Sequence, residues 1–555
     1  MLHALCLLGL VPFASAGIFN RAAAAKASTF AGSTTTFAFP PPNVTATVPD
    51  PNFPDAAAVG FAGPTPTGDE AFAIETAPAL ASFKNTAPIV APDTADHKGA
   101  QFDVIKSWGN LAPMRSVDPG FFGLPDASPV VPKGCSINQV HILHRHGARY
   151  PTSGSAPAAF AGRIHNATVN GTGFSATGPL EFLNTWTFKL GAEILTPLGR
   201  QQLYELGVNS RVRYGDLLKG FTDLPVWRTT SEARMVDSAL QFAAGFFGVQ
   251  SYQTSYHQVI EVEEDGFNST LASYDFCDNS NNAIADLGYD KAAQWALKYT
   301  APTIKRLSKF IQGYNLTSSD IIAMQQSCPY ESVALGFSSF CSVFTEEEWE
   351  AYEYFNDLTF WYSDGPGNPA VAAQGVGYVQ EFISRLTKTR ISTFATSVNE
   401  SIVTSNITFP LEQPIFVDAS HDTIITAIAV ALNLTSLASS GPLPVDHIPS
   451  KRQWVISNIA PFAANLVAQV LSCPASDTPT HVRWILNDAV VPLTGVKGCK
   501  ADKNGLCPLA TYIKGTQARI DEIDFQFDCF GNYTIPDPDT IIDGRFPPSL
   551  RNHTT

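Results

Sequence analysis

Gln139-Val140-His141-Ile142-Leu143-His144-Arg145-His146-Gly147-Ala148-Arg149-Tyr150-Pro151 decides how the rest of the chain reads. Its opening, Gln139 to Leu143, is a short β-prone run that ends at a polar, glycine-containing turn. Two arginines and a histidine in one turn are poor core material, because their charges would need partners. Arginine forks match the geometry of phosphate oxygens, and Gly147 lets the backbone approach closely. A histidine held between two guanidiniums stays neutral and can act as a nucleophile. R-H-G-x-R-x-P fixes five identities, a chance match on the order of one in ten thousand for a chain of this length.

Two further strand-then-cluster units follow. Pro225-Val226-Trp227 is a strand candidate running into Arg228-Thr229-Thr230-Ser231-Glu232-Ala233-Arg234 and a helix from Ser231 to about Phe246. Pro414-Ile415-Phe416-Val417 leads to Ser420-His421-Asp422-Thr423 and a helix from Thr423 to Leu432. Thr196-Pro197, with Thr at the cap and Pro in the first turn, opens another helix through Leu206. His481 to Leu486 and Val490 to Leu493 resemble a hairpin. Strand-then-helix units predict an α/β domain with a mostly parallel sheet flanked by helices. Such sheets bind ligands at the carboxyl ends of their strands, where all three polar clusters fall. The stretch from 275 to 360 lacks strands and predicts a second, smaller α-rich lobe inserted in the α/β domain of 101–274 and 361–545.

The chain has 555 residues, with 35 Lys+Arg against 50 Asp+Glu, a formal charge of −15. That balance argues against nucleic acid or an anionic membrane as partner. An apolar stretch from Leu5 to Phe13 before Ala14-Ser15-Ala16 predicts a signal peptide over 1–16. No later apolar run reaches the roughly 18 residues of a membrane span. Residues 17–100 are rich in Ala, Thr and Pro and read as an N-terminal extension. Beyond Cys6 the chain holds Cys135, Cys277, Cys328, Cys341, Cys473, Cys499, Cys507 and Cys529, an even count that predicts disulfides. No C-x-x-C pair supports a zinc site, and neither metal nor cofactor is expected. Ten N-x-[ST] sequons stand at Asn43, Asn166, Asn170, Asn268, Asn315, Asn399, Asn406, Asn433, Asn532 and Asn552. Their density predicts a secreted glycoprotein, free or held in the cell wall. The oligomeric state is not written in the sequence, and a monomer is the default.

The motif resembles the histidine acid phosphatases, and specifically their secreted fungal branch, which includes phytases. The likeness runs from about Trp108 to Tyr533 and includes Trp108-Gly109-Asn110, Leu195-Thr196-Pro197-Leu198-Gly199 and Gln374-Gly375-Val376-Gly377-Tyr378. It implies a phosphoglycerate-mutase-like fold and a phosphohistidine formed on His146. Arg145, Arg149 and His421 would bind the phosphate, joined by Arg234 in the first turn of its helix, where free amides also favour an anion. Asp422 would protonate the leaving alcohol and then assist the attack of water. Arg228 is a weaker candidate, with a strand-end ion pair as its ordinary role. The resemblance also implies the disulfides Cys135–Cys473, Cys277–Cys529, Cys328–Cys341 and Cys499–Cys507.

The substrate is less legible. Some fungal phytases carry a lysine pair where this chain has Thr359-Phe360, ahead of Gly367-Asn368-Pro369. Fewer cations beside a polyphosphorylated ring weaken its attraction. Arg163, Lys305 and Lys309 are alternative suppliers, each with a solvated surface role as the simpler explanation. Thr345 and Glu348 fit a capping box rather than a metal site. The leading expectation is an acid phosphomonoesterase acting on phytate (myo-inositol hexakisphosphate). Its alternatives are a broad acid phosphatase, a mutase-like phosphotransferase, and a phosphate-binding cell-wall glycoprotein without turnover.

Overall fold

The computed structural model describes residues 94–96, 102–171, 173–537 and 539–553. The expected signal peptide, nearly all of the N-terminal extension, Asn43 and the side chain of Asn552 therefore lie outside the described residues.

The eight strands of the main sheet are β1 (Ser136–Arg145), β2 (Val226–Thr230), β3 (His257–Glu261), β4 (Ile415–Ser420), β5 (Asn465–Ser472), β6 (Thr480–Leu486), β7 (Ala489–Val491) and β8 (Cys507–Pro508). Their order is β8-β6-β5-β1-β4-β2-β3, with β7 paired to β6. The strands β1, β4, β2 and β3 form the expected parallel core, while β5 to β8 continue the sheet antiparallel. The expected late hairpin is β6–β7. Strands β2 and β4 and the second half of β1 are buried on both faces, while β3 is a half-exposed edge. Ile142, Trp227 and Val417 meet Phe242 and Phe246 on one face, and Leu143, Leu466 and Trp484 join Val376, Phe382 and Ile424 on the other. Helices α2 (Pro197–Tyr214) and α3 (Ala233–Phe247) cover the first face; α7 (Val371–Thr387), α8 (Asp422–Ala431) and α9 (Leu509–Glu522) cover the second. The helix α1 (Ala156–Val169) precedes them in the chain.

Helix α2 runs past the expected stop at Leu206 because Gly207 is a packing residue rather than a terminator. A Cβ on Gly207 would sit 2.1 Å from the Phe242 carbonyl oxygen, and one on Gly245 would sit 2.0 Å from that of Tyr204. The two helices touch through these glycines, a gain that outweighs glycine's poor helix propensity. Between 275 and 360 the chain forms α4 (Ala283–Leu307), α5 (Ser318–Leu335) and α6 (Glu346–Ser363), with one two-residue strand, Ile311–Gln312. Their side chains, among them Trp295, Tyr352 and Phe355, belong to the same continuous core as the sheet. Thr345 and Glu348 form the expected capping box at the start of α6. Arg163 pairs with Asp320 at 2.7 Å, and Lys305 and Lys309 are exposed.

Arg228 takes the ordinary role considered for it. It is buried beneath the site, with Asp418, Glu381 and Glu261 at 2.7, 2.7 and 3.0 Å, and Arg385 shares Asp418. This network ties β2, β3, β4 and α7 together, and removing one member would strand buried charge. Four disulfides are present: Cys135–Cys473, Cys277–Cys529, Cys328–Cys341 and Cys499–Cys507. These are the pairs that the resemblance implies. Among the described residues no helix is long and apolar enough to cross a membrane.

Candidate active site

Strands β1, β4 and β2 lie side by side and parallel, so the turns after their carboxyl ends are neighbours. Those turns carry His146, His421 with Asp422, and Arg234. The turn after β1 is shaped by close backbone contact. A Cβ on Gly147 would sit 2.2 Å from the Gly199 carbonyl oxygen, and one on Gly199 would sit 2.0 Å from that of Ala148. Thr196 caps α2 by accepting from the Gly199 amide and also donates to the Ala148 carbonyl, so the L-T-P-L-G segment clamps the turn.

His146 is 1% exposed. Its Nδ1 lies 2.8 Å from the Gly147 carbonyl oxygen. A carbonyl can only accept, so Nδ1 carries the proton and Nε2 keeps its lone pair. Burial, then the charges of Arg145, Arg234, Arg149 and His421, hold His146 well below the ordinary imidazole range. The imidazole is thus neutral and suited to nucleophilic attack.

Arg145, Arg149 and Arg234 are each at least nine-tenths buried. Arg145 donates to the carbonyls of Asn110 and Ala460, stacks on Phe462 at 4.5 Å, and meets Asp422 Oδ2 at 2.8 Å. Burial pushes its guanidinium down to about 10. Arg149 donates to the Tyr150 carbonyl. Arg234, in the first turn of α3, pairs with Glu193 at 3.1 Å and with Glu232. The Nε atoms of all three arginines and Nδ1 of His421 are buried without a protein partner. Buried guanidinium donors left open in this way, around one neutral histidine, are the signature of a site for an anion.

Asp422 opens α8 and His421 is its N-cap. Asp422 Oδ2 accepts from Asn110 Nδ2 at 2.8 Å as well as from Arg145, and Oδ1 accepts from the Thr423 amide. Burial raises this carboxyl, but Arg145, the Asn110 amide, Arg149 and His421 outweigh it and hold it below the usual range. His421 is fully buried, with Nε2 at 3.1 Å from Glu263 Oε2 and 3.9 Å from Glu232 Oε2. Burial likewise raises Glu263, yet the charge and hydrogen bond of His421, with the Tyr274 hydroxyl, bring it down to about 2. Glu232, Glu263 and His421 could offer three ligand atoms to a metal ion, but Arg149 and Arg234 lie close enough to oppose a cation.

The structure thus gathers His146, Arg145, Arg149, Arg234, His421 and Asp422 in one buried place, and it separates Arg228 from them. Sequence reading missed Glu193 and Glu263, which come from distant loops, and the tasks of Glu232, two residues before Arg234, and of Asn110. The Trp108-Gly109-Asn110 segment was visible as a likeness only. Gly109 has φ +57°, donates to Glu353 Oε2 at 2.6 Å, and would place a Cβ 2.5 Å from Asn356, which fixes Asn110 against Asp422.

The sequence profile of the histidine phosphatase superfamily (branch 2) matches residues 136–487. Phytase A of Aspergillus fumigatus is 33% identical over 426 residues, covering 74% of this chain and 87% of that protein. Phytase A of Emericella nidulans is 32% identical over 454 residues, with 79% and 94% covered. Among solved structures, the phytase from D. castellii shares the fold at a TM-score of 0.63 and 24% identity, over 80% of this chain and 90% of its own. The matched span holds the R-H-G-A-R-Y-P turn, the second arginine cluster and the His-Asp pair alike, and on that footing the chain belongs to branch 2 of the histidine phosphatase superfamily.

Proposed function

We propose that this protein is a secreted acid phosphomonoesterase that hydrolyses organic phosphate esters, phytate among them, through a phosphohistidine. The observation that carries the reading is the neutral His146 ringed by buried donors on Arg145, Arg149 and Arg234 that lack protein partners, with His421 beside them. His146 Nε2 attacks phosphorus in line and the P–O bond to the alcohol breaks. Asp422, protonated in the complex, gives its proton to the leaving oxygen. Water then attacks the phosphohistidine, with the Asp422 carboxylate taking a proton, and orthophosphate leaves. The guanidiniums and His421 offset charge on the transferring group. The net charge of −15 repels anionic substrates at long range, but within roughly 8–10 Å the arginine cluster dominates.

Secretion is supported by the four disulfides and by exposed sequons at Asn166, Asn170, Asn315, Asn406 and Asn532. Asn268, Asn399 and Asn433 are half-buried, and their Nδ2 atoms donate to backbone carbonyls, so they are poorer acceptors of a glycan.

Phytate as substrate is supported by relatives named phytase that cover most of the chain. A broader acid phosphatase is the second reading, favoured by α6. Phe360 is buried there, and the half-buried Thr359 bonds to Phe355 and packs its carbonyl against Gly288. Neither position offers a cation to a polyphosphorylated ring. Phosphate release from phytate and from an aryl phosphate, side by side from pH 2 to 8, decides between them. Faster turnover of phytate at acid pH is expected, and a preference for the aryl ester would make the enzyme a broad phosphatase.

Asn110 gives a finer test. Its amide favours the Asp422 carboxylate, so Asn110→Ala raises the carboxyl and moves the alkaline limb of the kcat profile up by about 0.5–1 pH unit. A limb that stays in place would remove Asn110 from the control of Asp422.

A further inference from the structure

Arg234 reaches the site with both terminal nitrogens already engaged. NH1 meets Glu193 Oε2 at 3.1 Å, and NH2 meets Glu232 Oε2. Glu232 occupies the N-cap position of α3, yet its side chain caps nothing. An acid at a helix start ordinarily accepts from the first free amides. Here the carboxylate turns to Arg234 instead, and the same oxygen lies 3.9 Å from His421 Nε2. One of the groups that a phosphate needs, Arg234, is thus held by an internal anion that also lies beside the second, His421. A phosphate dianion bound to Arg234 and His421 must share them with Glu232 or displace it, at a separation where like charges repel strongly in a poorly solvated site.

We propose that Glu232 is a built-in competitor for the phosphate site. As a carboxylate it holds Arg234 and weakens binding of dianionic phosphate; once protonated or turned aside it surrenders Arg234, so phosphate affinity rises as pH falls. The inference rests on the phosphatase reading of the site and adds a residue that sets substrate affinity.

The surroundings assign the switching to Glu232. It is faced by Arg234 from its own helix, Arg149 after β1, Glu193 before α2, Glu263, Tyr274 and Asp275 after β3, and His421 before α8. Burial raises Glu232, and Glu263 adds to the rise; Arg234, His421 and Arg149 oppose it without cancelling it. A raised carboxyl keeps its proton to higher pH than usual, so the competitor is off in acid and on as pH rises. Glu263, down at about 2, stays charged throughout and cannot switch. Tyr274, pushed far above its ordinary value, stays neutral. Asp275 is pushed up to about 7 by burial and by Glu263 and Asp265, and it needs its own control.

The test measures Ki for inorganic phosphate, with KM and kcat for an aryl phosphate, from pH 4 to 7 in the parent, Glu232→Gln, Glu232→Asp and Asp275→Asn. Glu232→Gln should bind phosphate about tenfold more tightly at pH 6.5, with KM falling alongside and kcat moving much less. At pH 4 it should converge on the parent. Glu232→Asp, whose shorter side chain draws back from Arg234, should fall between them and serves if the glutamine variant does not fold. Asp275→Asn should leave the pH dependence of Ki in place. Parallel Ki curves for an active parent and its Glu232 variants overturn the role of Glu232 alone. A parent that neither binds phosphate nor turns over any ester overturns the phosphatase reading, and this inference with it.

Discussion

His146→Ala loses phosphate release from phytate and from an aryl phosphate together, with kcat down by about 10⁴–10⁶-fold, the scale seen when a covalent nucleophile is removed. The physical reason lies in one atom. Nδ1 is committed to the Gly147 carbonyl, so Nε2 is the free lone pair, and three guanidiniums keep the ring unprotonated. The neighbouring imidazole is His421, its ring centroid 5.7 Å from that of His146 and its Nε2 engaged with Glu263. The arginines remain in His146→Ala, so the variant should still bind orthophosphate, and it should tolerate loss of the ring because the turn is held by Gly147 and Gly199 rather than by His146. Rapid quench of the parent with labelled ester should trap an acid-labile, base-stable phosphoenzyme that the variant lacks. Turnover by His146→Ala at a tenth of the parent rate would place the nucleophile elsewhere, or make water the direct attacker.

What could be read in the chain, and what could not, follows from how far apart the cooperating residues lie. R-H-G-A-R-Y-P is contiguous and follows an evident strand, so its place at a strand end was legible. Ser420-His421-Asp422 was legible by the same logic once the parallel core was inferred. Arg228 and Arg234 look alike in sequence, six residues apart. The helix start already favoured Arg234, and pairing across the sheet accounts for the difference, because Arg228 lies in register with Asp418 on β4, whereas Arg234 lies past the strand end on α3. The acids Glu193 and Glu263 were invisible as site residues, since each acts on a partner brought in by the fold, Arg234 and His421 respectively; Glu232 stands two residues before Arg234, and only the side-chain geometry shows that the two pair. The end of α2 was set short, at Leu206, for a different reason. A glycine after an apolar helical run usually marks a helix end, and only the approach of α3 shows that close packing needed it.

Asp422→Asn should divide substrates by their leaving groups. The asparagine can still accept from Asn110 and stand in the first turn of α8, but it has no proton to give. Loss of a general acid costs about 10²–10⁴-fold where the leaving oxygen is strongly basic, as in an inositol alkoxide, and far less for an acidic phenol. For an aryl phosphate, breakdown of the phosphohistidine then limits turnover if the carboxylate also assists water, so the variant should release a burst of phenol before a slow steady rate. The pH profile follows from the same group. In the free enzyme Arg145, Asn110, Arg149 and His421 prevail over burial and hold Asp422 ionised through most of the acid range. A bound phosphate dianion shares Arg145 and adds negative charge nearby, and both effects raise the carboxyl. The alkaline limb of kcat, which reports the complex, should therefore lie above that of kcat/KM, which reports the free enzyme. In Asp422→Asn that limb should vanish from the phytate profile, even though Asp364, pushed up to about 8 by burial and by the Asp422 charge, still titrates close by. Equal losses for phytate and aryl phosphate, with both limbs intact, would show that the proton comes from another donor and would leave Asp422 only the task of orienting Arg145.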